Sequence, residues 1–169
     1  DLQRSGSPMQ AEAIRSRLES MIGKFGYKSV VLLDADGRPL MNLGEPHQIG
    51  GTTLQLLQET FTDGQVRRSQ LLADAGGQQH MDFIAPLSLE ADGQRQPVGA
   101  VLLHINLARS LYPYIQTWPG ASASAETLLV RGGGERVEFL NELRHRPGKV
   151  MSLQLAEATT DLPAAIALR

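Results

Sequence analysis

Three Asp-Gly pairs punctuate the first hundred residues: Asp36-Gly37, Asp63-Gly64 and Asp92-Gly93. Two of them sit between short apolar runs, where Asp-Gly is among the strongest signals for a tight hairpin. Ser29 to Asp34 leads into the first turn, and Arg38 to Leu43 returns from it. His80 to Leu89 leads into the last turn, and Val98 to Ile105, the most apolar run in the chain, returns as a central strand. Strands joined this tightly are antiparallel neighbours. Val66 to Ala73 adds another strand before the Gly-rich turn at Asp74 to Gln78. Pro86 lies within the run from His80, where it marks an edge, a bulge or the strand's end.

Helical spacing appears on either side of these runs. Ser7-Pro8-Met9-Gln10 supplies an N-cap, a first-turn proline and a glutamine three residues after the cap. Ile14, Leu18, Met21, Ile22 and Phe25 then share one face, and Gly26 is placed to stop the helix. The spacing predicts a helix over Pro8 to Phe25, whose stripe either packs on its own sheet or pairs with a second copy. A second helix is expected over Thr52 to Phe61, with Thr52 and Gln55 as capping box and Leu54, Leu57 and Phe61 on one face. Asp63-Gly64 ends it.

After Asn106, Leu107 to Trp118 reads as a helical segment broken by Pro113, and Gly120 to Ala125 reads as a linker. A further hairpin follows, Thr127 to Arg131 and Arg136 to Leu140 around Gly132-Gly133-Gly134. Met151, Leu153 and Leu155 alternate as in a strand, and Thr160 caps a final helix from Asp161 to Leu168. The whole is an α+β pattern with the helices apart from the strands. Leu128 to Glu135 repeats the strand-turn-strand pattern of Val31 to Arg38, which suggests an internal repeat.

Composition removes several classes of function. With 169 residues, 41% of them apolar, the chain can bury a core without staples. The absence of cysteine excludes disulfides, thiolate metal sites and cysteine nucleophiles. A net charge of -2 gives nucleic acid no electrostatic handle. No apolar run reaches the ~18 residues that span a bilayer. Since the sequence starts at Asp1 rather than Met, a piece of a longer protein is expected, with membrane anchors outside it.

Catalytic motifs are absent, so the chain is not expected to be an enzyme. Gly132-Gly133-Gly134 joins two strands rather than a strand and a helix, so it reads as a turn and not a phosphate loop. His80 and Asp82 stand two apart on a strand and share a face. They form either a polar pair in a pocket or a structural hydrogen bond. His104 ends the most apolar strand, as a paired core histidine or as a ligand contact. Tyr112, Tyr114 and Trp118 either wall a pocket or pack between the two halves of the chain. Asn141, Glu142, Arg144 and His145 fit a loop that hydrogen-bonds the second half together. His47, His80, His104 and His145 show no ligand spacing, so no metal and no cofactor is expected.

The strand-DADGR-strand opening after a long helix resembles the start of a Cache (PDC, PAS-like) sensor domain. So does Phe83-Ile84-Ala85-Pro86-Leu87 followed by Pro97-Val98-Gly99-Ala100-Val101-Leu102. The stretches Leu111 to Pro119, Ser124 to Val130 and Phe139 to His145 resemble, more specifically, the periplasmic sensors of membrane-bound bacterial diguanylate cyclases and PAS-containing histidine kinases. The resemblance implies a PAS-like antiparallel five-stranded sheet behind a long N-terminal helix, with a second, partial PAS-like unit at the C-terminus. The divisions would be a signalling helix over residues 1–26, a sensor module over 27–119 and the partial unit over 120–169, with the natural chain continuing past Arg169.

The implied function is extracytoplasmic small-molecule sensing in a membrane-anchored receptor, on the periplasmic side of the inner membrane. Its ligand contacts would be drawn from His80, Asp82, His104, Tyr112, Tyr114 and Trp118, and the N-terminal helix could form a homodimer. Amino-acid-binding Cache domains share an Arg-x-x-x-Trp pattern. Here Arg109 stands nine residues before Trp118, so an amino acid is not the implied ligand. Two rivals remain. One is a ligand-free dimerisation or partner-sensing module, marked by an exposed apolar face on Pro8 to Phe25. The other is a hydrolase, marked by a cleft joining His80 and Asp82 to a third polar group.

Overall fold

In a computed structural model, the described residues are 8–46, 48–74, 76–91, 93–116, 126–133, 135–144, 146, 148, 150–156 and 163–168. They form two compact units, Asp1–Ser110 and Leu111–Arg169.

The first unit opens with helix α1, Pro8–Phe25, as its spacing predicts. Gly26 ends it at φ 68°, with its N–H on the Ile22 carbonyl. Strand β1 is Ser29–Asp34 and β2 is Pro39–Gly44. Asp34 shapes the turn between them, its Oδ1 accepting from the N–H groups of Asp36 and Arg38, while Gly37 takes φ 78°. Gly44, at φ 88°, is a position where a Cβ would lie 2.5 Å from the Lys28 carbonyl oxygen.

Helix α2 is Gly51–Asp63. It starts earlier than the Thr52 capping box implied. Its N-cap is Gly50, with no side-chain cap, and Gln55 bonds to Glu59 instead. Its buried face carries Thr53, Leu57 and Thr60, with Leu56 and Phe61 packed beside them. Leu54 was expected on that face and is exposed, because the buried stripe is centred on Thr53, Leu57 and Thr60 and Leu54 lies about a quarter-turn from it. Arg67 clasps the end of the helix, reaching Glu59 at 3.0 Å and both carboxylate oxygens of Asp63 at 2.8 and 2.6 Å. That guanidinium, more than the Gln65 N–H, holds the Asp63 carboxyl down at about 2.

The expected strand Val66–Ala73 is two short pieces, β3 at Arg67–Arg68 and β4 at Leu72–Ala73. Ser69 breaks it. Its Oγ accepts the Asp82 N–H and donates to the Gln70 carbonyl, so the backbone bulges there. Strand β5 is Gln79–Ala91 and β6 is Gln94–Asn106, paired along their length. Pro86 does not end β5. The pairing with β3 stops at Ile84, so the strand is an edge on that side when it reaches the proline.

The sheet runs β2-β1-β6-β5-β3 with β4 also on β5, every pair antiparallel. Since β3 and β4 share one flank of β5, this is a five-position PAS-like sheet preceded by a long helix. Gly99 lets β6 approach β1 closely, since a Cβ there would collide with the Leu33 carbonyl oxygen. The unit ends in a short helix α3, Leu107–Ser110.

The second unit begins with α4, Tyr112–Gln116, so the predicted helical segment is in two pieces. Trp118 and the expected linker fall outside the described residues. A second sheet follows in the order β7-β8-β9, made of Val130–Gly133, Arg136–Phe139 and Gln154–Ala156. The last strand starts later than Met151 because Met151 takes φ 54°, which breaks the alternation. Helix α5, Pro163–Ile166, buries Ala164 and Ala165 against Val137 and Phe139. No helix among the described residues is long and apolar enough to cross a membrane.

Asn141 ties this unit together, as the polar cluster after β8 suggested. It is buried; its Oδ1 accepts the Leu129 N–H at 2.6 Å and its Nδ2 donates to the carbonyls of Thr127 and Glu142. Truncating it strands buried backbone groups at about 1–3 kcal/mol each. We expect Asn141→Ala to speed amide exchange across β7–β9 by at least tenfold, roughly 1.4 kcal/mol. Unchanged exchange would mean that Asn141 is not the tie.

Candidate functional site

Strand parity sets the site. On β1, β6 and β5 one face carries Ser29, Val31 and Leu33; His104, Leu102 and Ala100; and His80, Asp82 and Ile84. Val31 and Ile84 flank Leu102, and Leu33 pairs with Ala100. Two residues further along each strand, Ser29 and Asp82 flank His104. One continuous face therefore grades from apolar to polar. Helix α2 lies over it, with Leu57 in the apolar cluster and Thr53, one turn earlier, on Asp82.

The side chains of the polar end have little solvent contact. Asp82 is 0% exposed, His104 2% and His80 7%. His104 Nδ1 lies 2.7 Å from Asp82 Oδ1, and the Thr53 hydroxyl donates to Asp82 Oδ2 at 2.6 Å. Both oxygens of the carboxyl therefore have a partner, Oδ1 the His104 ring and Oδ2 the Thr53 hydroxyl. The His80 and His104 rings are 4.5 Å apart. Ser29, opposite His104, has a buried hydroxyl with no hydrogen-bond partner among the described residues.

This floor opens into a cleft of about 420 Å³ between the start of α2, β4 and the β5–β6 face. His80, Asp82 and His104 line it together with Thr53, Lys28 and Asp74. The first intrahelical bond of α2 runs from Leu54 to Gly50. The N–H groups of Gly51, Thr52 and Thr53 therefore have no acceptor within the helix, and all three residues line the cleft. Lys28 Nζ lies 3.7 Å from Glu45 and 3.6 Å from Asp74 and donates to Gln78. The Gln78 and Gly76 N–H groups, with Lys28, hold the Asp74 carboxyl below its usual range.

Of the residues singled out in the sequence, the fold brings His80, Asp82 and His104 together. Tyr112 belongs to the second unit, where its hydroxyl donates to the Leu140 carbonyl at 2.6 Å and burial pushes its pKa up to about 12. Tyr114 belongs to the same unit and is exposed. Trp118 lies outside the described residues, as do His47 and His145. Thr53, Lys28 and Asp74 were not anticipated. The only local signal was the Gly50-Gly51-Thr52-Thr53 helix start, in which the neighbouring threonine drew the capping assignment.

No protein family matches the chain, and no curated protein matches it. Among solved structures it is similar to the ligand-binding domain of the Pseudomonas aeruginosa PAO1 amino acid chemoreceptor PctC in complex with GABA, at 17% identity and a TM-score of 0.46. The match covers 68% of this chain and 49% of that one, so the chain spans about half the length of that solved structure.

Removing one member of the Asp82 cluster leaves a buried carboxyl oxygen short of a partner. We expect Thr53→Val, which keeps the volume, to cost about 1.5–3 kcal/mol in urea unfolding. A loss under ~0.5 kcal/mol would show that water already serves Oδ2.

Proposed function

We propose that the chain is the extracytoplasmic small-molecule-sensing part of a bacterial membrane receptor, with the cleft of the first unit as its ligand site. The observation that carries this reading is the cleft's floor. A carboxyl group and two imidazoles are buried beside an open cavity whose size suits a small ligand. Such groups are costly to bury and add little to stability unless they meet something. Lys28, Asp74 and the donor-rich start of α2 line the same cavity and give it both signs of charge, which suits a small polar molecule.

Binding there would act by population shift. A ligand spanning α2 and the β5–β6 face favours the arrangement in which those elements are closed, and only its differential affinity moves the equilibrium. The sequence resemblance supports a diguanylate cyclase or histidine kinase as the output, a periplasmic location and membrane anchoring.

The cleft does join His80 and Asp82 to a third and a fourth polar group, the condition set for a hydrolase. The arrangement does not suit one. The Thr53 hydroxyl donates to Asp82, not to an imidazole, so nucleophile and base are not paired in the order that covalent catalysis uses.

A thermal-shift screen against organic acids, amines, amino acids and nucleobases tests the proposal. A ligand at a hundred times its dissociation constant adds about 2.7 kcal/mol and a clear rise in Tm. The rise is expected to disappear in His80→Ala. A stable protein on which no compound acts would remove the small-molecule reading.

A second reading, dimerisation through α1, is favoured by one observation. None of the helix's 18 residues is buried, and Ile14 and Phe25 are 45% and 53% exposed. A second copy would cover that stripe. Sedimentation at micromolar concentrations is expected to show a dimer that Leu18→Glu dissociates, whereas a wild-type monomer throughout would rule the pairing out.

A further inference from the structure

We propose that His80, Asp82 and His104 form a binding site for one borderline divalent transition-metal ion, such as Zn²⁺. The inference goes beyond the sensor reading and does not depend on it.

The ligand set comes first. Each of the three residues offers an atom, and these atoms lie within 4.8 Å of one another. Two imidazoles and one carboxylate suit Zn²⁺, Co²⁺, Ni²⁺, Cu²⁺ or Fe²⁺, and they disfavour Mg²⁺ and Ca²⁺, which take oxygen. The three residues sit on two fully paired strands, with Asp82 directly opposite His104 and His80 two positions away on the same face. The sheet's hydrogen bonds therefore hold the donors near one another whether or not an ion is present.

Support from the surrounding groups comes next. Metal-binding carboxylates are themselves hydrogen-bonded, which fixes their direction. Here Thr53 donates to one oxygen of Asp82, and Ser69 holds the Asp82 backbone at both its N–H and its carbonyl. The other oxygen already faces a ring nitrogen 2.7 Å away. An ion between them takes the ring nitrogen of His104 that faces Asp82, and the neutral ring keeps its one proton on the other nitrogen. Binding also places a cation beside a buried carboxylate.

Access and vacancy come last. All three residues line the cleft, so an ion has an entry path. Three protein ligands leave a fourth coordination position. That position opens into the cleft, where a small molecule with a carboxylate or amine could complete the shell.

The test uses the wild-type chain, Zn²⁺ and histidine-selective ¹⁵N labelling. Zn²⁺ at one equivalent is expected to shift the ring nitrogens of His80 and His104 in slow exchange, leaving those of His47 and His145 in place, while Ca²⁺ and Mg²⁺ do nothing. Co²⁺ is expected to give visible bands that are lost in His80→Gln and in His104→Gln. Thr53→Val, which removes a supporting contact only, is expected to weaken Zn²⁺ roughly tenfold. The proposal fails if Zn²⁺ leaves the His80 and His104 signals unmoved, or if it acts on His47 or His145 instead. The readout on unmodified protein decides the matter even where a variant does not fold. It is also separate from the thermal-shift screen: metal binding without an organic ligand, or the reverse, distinguishes the two proposals.

Discussion

The group around which the polar end of the first unit is arranged is the buried carboxylate of Asp82. It sits where three elements meet: β5 carries it, β6 faces it with His104, and the first turn of α2 reaches it through Thr53. The bulge at Ser69 belongs to the same centre, because it delivers an oxygen to the Asp82 N–H and splits the edge strand. A carboxylate with this little solvent tolerates few arrangements around it.

From that constraint the site follows. The sheet face is apolar where Leu33, Ala100, Leu102 and Ile84 meet and polar where Ser29, His104, Asp82 and His80 meet. Because α2 covers both ends, its Leu57 turn closes the core and its first turn stands over the polar end. A helix start without a side-chain cap then leaves donors lining a cavity, with Lys28 and Asp74 beside it. The second unit has a tie of its own in Asn141, which serves backbone groups from two loops. It has its own core in Val137, Phe139 and Ala165.

Much of the fold was legible because its signals are local. The Asp36-Gly37 turn, the span of α1 and the pairing of the long hairpin each rest on a few adjacent residues. Pro86 misled because a proline signals a strand's end unless one flank is open, and an open flank depends on where another strand stops. Leu54 misled because two residues three apart can share a stripe while the sheet covers only one edge of it, here the edge of Thr53, Leu57 and Thr60. Of the site, His80 and Asp82 were legible from their shared parity, and His104 from its place in the most apolar run. The meeting of His104 with Asp82 required the register of two strands separated by a turn. Thr53 and Lys28 are ordinary residues until a helix and a strand start bring them over that face. Ligand spacing within one segment cannot reveal a cluster assembled across two.

The central claim is that the polar end of the sheet is kept for what binds there and not for stability. The direct measurement is urea unfolding of the triple variant Thr53→Val, Asp82→Leu, His104→Leu beside the parent. Replacing a whole buried polar cluster by apolar groups is neutral or stabilising by about 1–4 kcal/mol when the cluster is not there for stability. The account predicts an unfolding free energy no lower than the parent's. A triple variant several kcal/mol less stable than the parent would contradict it, and would make the Asp82 cluster a structural device.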